Sequence, residues 1–153
     1  MSTVMVLSKA AFEQAMRLND VDDNNVENKT ETALISICST TNSFCGIAQN
    51  HHFKQNKDNV LNIRFDDIQE PEQGLLLFNE ALATILIKFI LKNIDKDFIV
   101  HCTAGISRSG AVGEFIRRLK GIEYSTFIRV NRQIQPNTTV LSILTDVYNK
   151  KFK

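Results

Sequence analysis

Phe98-Ile99-Val100-His101-Cys102-Thr103-Ala104-Gly105-Ile106-Ser107-Arg108-Ser109-Gly110 is the stretch on which the fold turns. An apolar run stops at Cys102, and from Arg108 onward Val112, Phe115, Ile116 and Leu119 recur at helical spacing. The spacing predicts a strand, a loop and a helix. Gly110, Ala111 and Gly113 leave the first turns of that helix narrow enough for close packing. Upstream, Phe78, Leu82, Ile85 and Phe89 fall on one helical face, widened by Leu75, Leu86 and Ile90. Residues 60–65 alternate through Leu61, Ile63 and Phe65 as a strand does, and they deliver Asp66 and Asp67 at its end. Residues 32–38 and 4–7 read as further strands. Residues 10–18 read as a short helix with Ser8 as its cap. Downstream, a short helix is expected over 124–132. Pro136 then opens a last helix with Val140, Leu141, Leu144, Val147 and Tyr148 on its apolar face. The polar segments 20–32, 39–58 and 70–74 are loops. Strands alternating with helices predict a single α/β domain over 1–153, a mostly parallel sheet with helices on both faces. Ligands of such sheets gather at the carboxyl ends of the strands.

The composition limits the function classes. At 153 residues, 43% apolar and 23% charged, the chain matches an ordinary globular domain with one core. The net charge of +1 gives no support for a general nucleic-acid binder. Charge is uneven, however: residues 117–153 carry eight bases against two acids. They read either as solvated helix faces or as a mildly basic rim that attracts an anion. No membrane span is expected, because residues 75–91 are interrupted by Asn79, Glu80, Thr84 and Lys88. The first eight residues lack the basic lead and long apolar run of a secretory signal. Three cysteines without such a signal suit a reducing, cytoplasmic setting. Cys38, Cys45 and Cys102 have no zinc-type spacing, and His51-His52 has no third ligand nearby, so no metal or cofactor is expected. Cys38, inside an apolar strand, reads as a small buried hydrophobe.

The loop from Cys102 to Arg108 combines the parts of an oxyanion site. Its amides lead into a helix amino terminus, where N–H groups lack intrahelical partners and the dipole favours negative charge. Gly105 permits the backbone angles that fold Thr103, Ala104, Gly105, Ile106 and Ser107 around one phosphate or sulfate. Cys102, at the start of the cradle, would gain the same stabilisation as a thiolate; such cysteines have pKa values lowered to roughly 3.5–7.5. A thiolate attacking phosphorus divides a hydrolysis into two easier steps. Arg108, six positions on, can return to the anion and grip two of its oxygens. Ser109 can donate to the sulfur when it has to leave.

This arrangement resembles the HC-x5-R-[ST]-G signature of the protein tyrosine phosphatase superfamily. The Gly105-Ile-Ser-Arg108-Ser form is most similar to the dual-specificity phosphatases. Arg132-Gln-Ile-Gln-Pro136-Asn137 resembles the R-x-x-x-P-N segment that opens a late helix in that group. The resemblance implies a dual-specificity-phosphatase-like single domain. It implies a phosphorylated protein or peptide as substrate, phosphotyrosine alone or with phosphoserine and phosphothreonine, and a cysteinyl-phosphate intermediate. It further implies that His101 and Asn137 support the loop and that an upstream Asp is the general acid. Asp67 is preferred for that role over Asp66, taken as still belonging to the strand; Glu70 and Glu72 stay open, because Asp67 lies farther from Cys102 than is usual in the group. Residues 103–107 contain no base, which argues against a highly charged inositol-lipid head group. Two alternatives remain: an RNA 5′-triphosphatase drawing on the basic carboxyl-terminal residues, and a non-catalytic phosphopeptide binder. A reactive thiolate predicts sensitivity to peroxide, with Cys38 or Cys45 as possible resolving partners.

Overall fold

The structure, a computed structural model, describes residues 3–40 and 50–153. Among these residues four strands, β1 (Val4–Ser8), β2 (Thr32–Cys38), β3 (Val60–Arg64) and β4 (Asp97–Cys102), form one sheet in the order β1-β4-β2-β3. The pairings between these four strands are all parallel, so the strands end at the same edge. The register sets Ser8 beside Cys102 and Ser36 beside His101.

Among the described residues, five helices cover the sheet unequally: α1 (Lys9–Leu18), α2 (Glu80–Lys92), α3 (Arg108–Lys120), α4 (Tyr124–Val130) and α5 (Thr138–Lys151). The main core packs Ala33, Ile35 and Ile37 of β2 and Phe98 and Val100 of β4 against α2, α3, α4 and α5. The opposite face is covered by α1, whose Phe12 and Met16 pack with Leu34, Phe53 and Val60. α3 buries its first nine residues, and Gly113 makes this possible: a Cβ there would sit 2.6 Å from Val6 Cγ2.

Several expectations shift by a turn or less. α1 starts where predicted, with Ser8 Oγ accepting from Ala11 N. α2 begins later than the periodicity suggested, because Asn79 caps it by accepting from Leu82 N. Its buried stripe is therefore Ala83, Leu86, Ile87 and Ile90; Ile85 is 48% exposed and Phe78 lies before the helix. Pro136 precedes the cap of α5 instead of opening the helix, since Asn137 takes the cap position. The loop before β2 contains one short 3₁₀ turn, Val26–Asn28, with Val26 buried.

β1 lies at an edge of the sheet, where unpaired backbone groups invite another strand. Side chains close that edge. Asn131 accepts from Val6 N through Oδ1 (2.8 Å) and donates to Val4 O through Nδ2 (2.9 Å). Gln133 Nε2 donates to Val6 O (2.9 Å).

Candidate active site

β4 delivers Cys102 to the carboxyl edge of the sheet, and α3 leaves from Arg108. The intervening loop is held from outside by its carbonyls. Thr103 O accepts from Lys9 N (3.2 Å), Gly105 O from Gln133 Nε2 (3.1 Å), Ile106 O from Gln135 N (2.9 Å) and Ser107 O from Asn137 N (3.0 Å). A trans peptide sets its carbonyl opposite the following N–H. Turning these carbonyls outward therefore aims the amides of Ala104, Ile106, Ser107 and Arg108 the other way, into the concave side. Gly105 sits at φ +72°, the left-handed region, and a Cβ there would lie 2.4 Å from Ser8 N.

Cys102 is buried beside the helix start, and its Sγ lies 3.0 Å from Ser109 Oγ. Burial pushes the thiol up. The Ser109 hydroxyl and amide, the Arg108 charge and the Gly105 amide outweigh it and bring the thiol below its ordinary value. Arg108 is itself only 5% exposed. Its Nη1 donates to Phe65 O (2.8 Å) and Ser39 Oγ (3.0 Å), and Nη2 to Thr103 Oγ1 (3.1 Å). Its Nε is buried without a hydrogen-bond partner among the described residues. A buried guanidinium with a spare donor beside an amide-lined loop is suited to an oxyanion. Thr103, Ala104 and Ile106 are exposed along the rim.

His101 is buried, with Nδ1 3.4 Å from Cys102 O and its ring centroid 4.3 Å from that of Phe12. Burial, with the nearby Lys9, His51 and His52, pushes its pKa down to about 4 against the Cys102 carbonyl bond, so the ring is neutral.

The two neighbouring acids have different surroundings. Asp66 lies beyond the end of β3, not within the strand, and is buried. It accepts from Thr40 Oγ1, from Thr40 N (3.1 Å) and from Leu76 N (2.8 Å). Burial pushes its pKa up, but these donors and Arg108 outweigh it, so the carboxyl is held below the usual carboxylate range. Asp66 thus ties the end of β2 to the 75–76 segment as an ionised brace. Asp67 is exposed, and its Oδ1 accepts from Ser107 Oγ (2.8 Å) and Asn137 Nδ2 (2.9 Å). The fold therefore brings Asp67 to the cysteine loop across a 40-residue separation. Glu70 and Glu72 are exposed on the following loop.

Cys38 is buried, but its surroundings are polar: Sγ lies 3.4 Å from His51 Nδ1, which also meets Ser36 Oγ at 2.8 Å. Successive strand residues face opposite sides. Ile37 shares the face of Cys102 in the main core, so Cys38 points to the other side of the sheet. Cys45 lies outside the described residues. Gln133 and Thr40 hold the site together, yet sequence reasoning does not reach either. Their partners lie 28 and 26 residues away, and the polar run leading into Pro136-Asn137 was the available signal.

The PTP-2 phosphatase of Cydia pomonella matches this structure with a TM-score of 0.52 at 18% identity, over 95% of this chain and 86% of that one. The fold is that of the protein tyrosine phosphatases. The human tyrosine phosphatase-like serine/threonine/tyrosine-interacting protein aligns at TM-score 0.49 and 18% identity, over 87% of this chain and 91% of that one. PTPMT1 in complex with PI(5)P aligns at 0.48 and 15% identity, over 97% and 91%. No family model and no curated protein sequence matches the chain. Among the described residues, no helix is long and apolar enough to cross a membrane.

Proposed function

We propose that this protein is a cysteine-dependent phosphatase. It hydrolyses phosphotyrosine in proteins or peptides, and phosphoserine or phosphothreonine where these reach the same loop. The observation that carries the reading is the loop itself: outward-turned carbonyls, Cys102 at its start, and Arg108 closing it with an Nε that has no partner among the described residues.

In the first step the Cys102 thiolate attacks phosphorus, the phosphorus–oxygen ester bond breaks, and the carboxylic acid of Asp67 gives its proton to the departing oxygen. The inward amides and Arg108 stabilise charge on the transferring group. In the second step Asp67, now a carboxylate, takes a proton from water. The water oxygen attacks phosphorus, the sulfur–phosphorus bond breaks, and inorganic phosphate leaves. Ser109, within hydrogen-bond distance of the sulfur, stabilises the thiolate as it departs. His101 and Asn137 support the loop without touching the reacting atoms.

Four of the eight basic carboxyl-terminal residues are engaged within the protein, which favours a small monoester over a long polyanion. Arg117 and Arg118 both grip Glu114, Lys120 Nζ donates to the carbonyls of Ile94 and Lys96, and Lys151 pairs with Glu80. Cys38 and Cys102 are free thiols, in keeping with a reducing, cytoplasmic setting.

Turnover of para-nitrophenyl phosphate tests the proposal. Cys102→Ser should abolish it while inorganic phosphate still binds. Turnover by Cys102→Ser at a tenth or more of the wild-type rate would reject cysteine chemistry.

A further inference from the structure

Asn137 is 3% exposed and makes contact with three separate parts of the site. Its Oδ1 accepts from Thr139 N and Val140 N, both at 3.1 Å, and so caps α5. Two backbone donors on that atom identify it as the carbonyl end of the amide, so the other end must donate. Nδ2 donates to Asp67 Oδ1 (2.9 Å) and to Ile68 O (3.1 Å). The backbone N–H of Asn137 donates to Ser107 O at 3.0 Å. Ser107 Oγ in turn donates to the same Asp67 Oδ1 at 2.8 Å.

One oxygen of Asp67 thus receives both donors. In a protonated carboxyl only one oxygen carries hydrogen, and the other acts purely as an acceptor. Resting on the phosphatase reading, the geometry points to Asn137 as a positioning residue. With Ser107, it engages Asp67 Oδ1 and leaves Oδ2 as the oxygen that carries the transferred proton. Helix α5 thereby sets the orientation of the acid as well as the loop backbone. Asp67 itself is exposed, so without Asn137 a single serine hydroxyl would have to select its rotamer.

Asn137→Ser separates the two roles of the side chain. Serine caps a helix about as well as asparagine but is too short to reach Asp67. The readout is a series of aryl phosphates graded by leaving-group basicity, from 2,4-dinitrophenyl phosphate to phenyl phosphate. A misplaced acid should matter only where the leaving oxygen needs a proton. The expected result is a fall in kcat of about tenfold on phenyl phosphate, a change within about twofold on the dinitrophenyl ester, and little change in KM. If Asn137→Ser fails to fold, Asn137→Asp keeps the cap without any N–H to donate, and the same graded loss is expected. A loss equal across the series, or no loss on phenyl phosphate, overturns the assignment. If the wild type turns the esters over through Cys102 and the variant loss is flat, this inference alone fails. A wild type inert to every ester overturns the phosphatase reading and this assignment with it.

Discussion

Gly105 and Ser8 meet backbone to backbone: a Cβ on Gly105 would lie 2.4 Å from Ser8 N and 2.5 Å from Leu7 C. The cysteine loop therefore rests on the end of β1 with no room for a side chain. Gly105→Ala combines that clash with the left-handed strain at φ +72°. The expected loss is roughly 2–5 kcal/mol of unfolding free energy, measured by urea titration, together with loss of phosphatase turnover. A variant within about 0.5 kcal/mol of the wild type would show that the loop moves aside freely.

Ser109→Ala removes the hydroxyl that lies 3.0 Å from the Cys102 sulfur. That donor favours the thiolate, so its loss raises the thiol pKa. The rate of alkylation by iodoacetate, plotted against pH, should shift to higher pH in the variant. The cysteinyl phosphate should also break down more slowly, which would appear as a burst of product before the steady state. An unchanged alkylation profile would leave Ser109 without influence on the sulfur.

Asp66 and Asp67 should respond in opposite ways to the same change. Asp67→Asn removes the proposed proton donor and should slow phenyl phosphate far more than dinitrophenyl phosphate. Asp66→Asn weakens the brace to Thr40 and Leu76 and should cost about 1–3 kcal/mol of stability, with no leaving-group dependence. The folded Asp66 carboxyl lies below its ordinary value of 3.8. Its charged form therefore adds stability above that value, and the contribution disappears as pH falls through the folded pKa. The stability gap between wild type and Asp66→Asn should accordingly narrow in strong acid.

His51 and His101 are held neutral, each pushed down to about 4 from an ordinary 6.5. The unfolded chain takes up these protons near 6.5, before the folded one does. Stability should therefore fall as pH drops from about 6.5 towards about 4, and level off with respect to these groups below that. His101→Phe keeps an aromatic ring against Phe12 and removes one of the two protons, so its urea midpoint should vary less over that interval. An equal slope in the two proteins would exclude His101 as a source of the acid sensitivity.

What could be read from the sequence follows from how local each signal is. The strand ending at Cys102, the glycine loop and the helix from Arg108 are set by contiguous residues, and they emerge where expected. Of the two acids, Asp67 is the one whose carboxylate meets Ser107 of the loop. The reason behind the preference for Asp67 does not hold, because β3 stops at Arg64 and what removes Asp66 from the loop is its bonds to Thr40 and Leu76. Of the apolar face expected for α2, Phe78, Leu82, Leu86, Phe89 and Ile90 do pack in or against the core, whereas Leu75 and Ile85 are exposed, and Asn79, a polar interruption in the sequence, is the cap that starts the helix. Asn131 and Gln133 carry no local pattern; each completes an edge of β1 about 127 residues away.

The carbonyls of Gly105, Ile106 and Ser107 are all held by residues 133–137. During synthesis the ribosome releases Cys102 and Arg108 before it releases these holders. A nascent chain that has emerged only as far as α3 would thus carry Cys102 without its cradle, and its sulfur would behave as an ordinary thiol. The proposed chemistry would become available abruptly, once the residues around Pro136 dock.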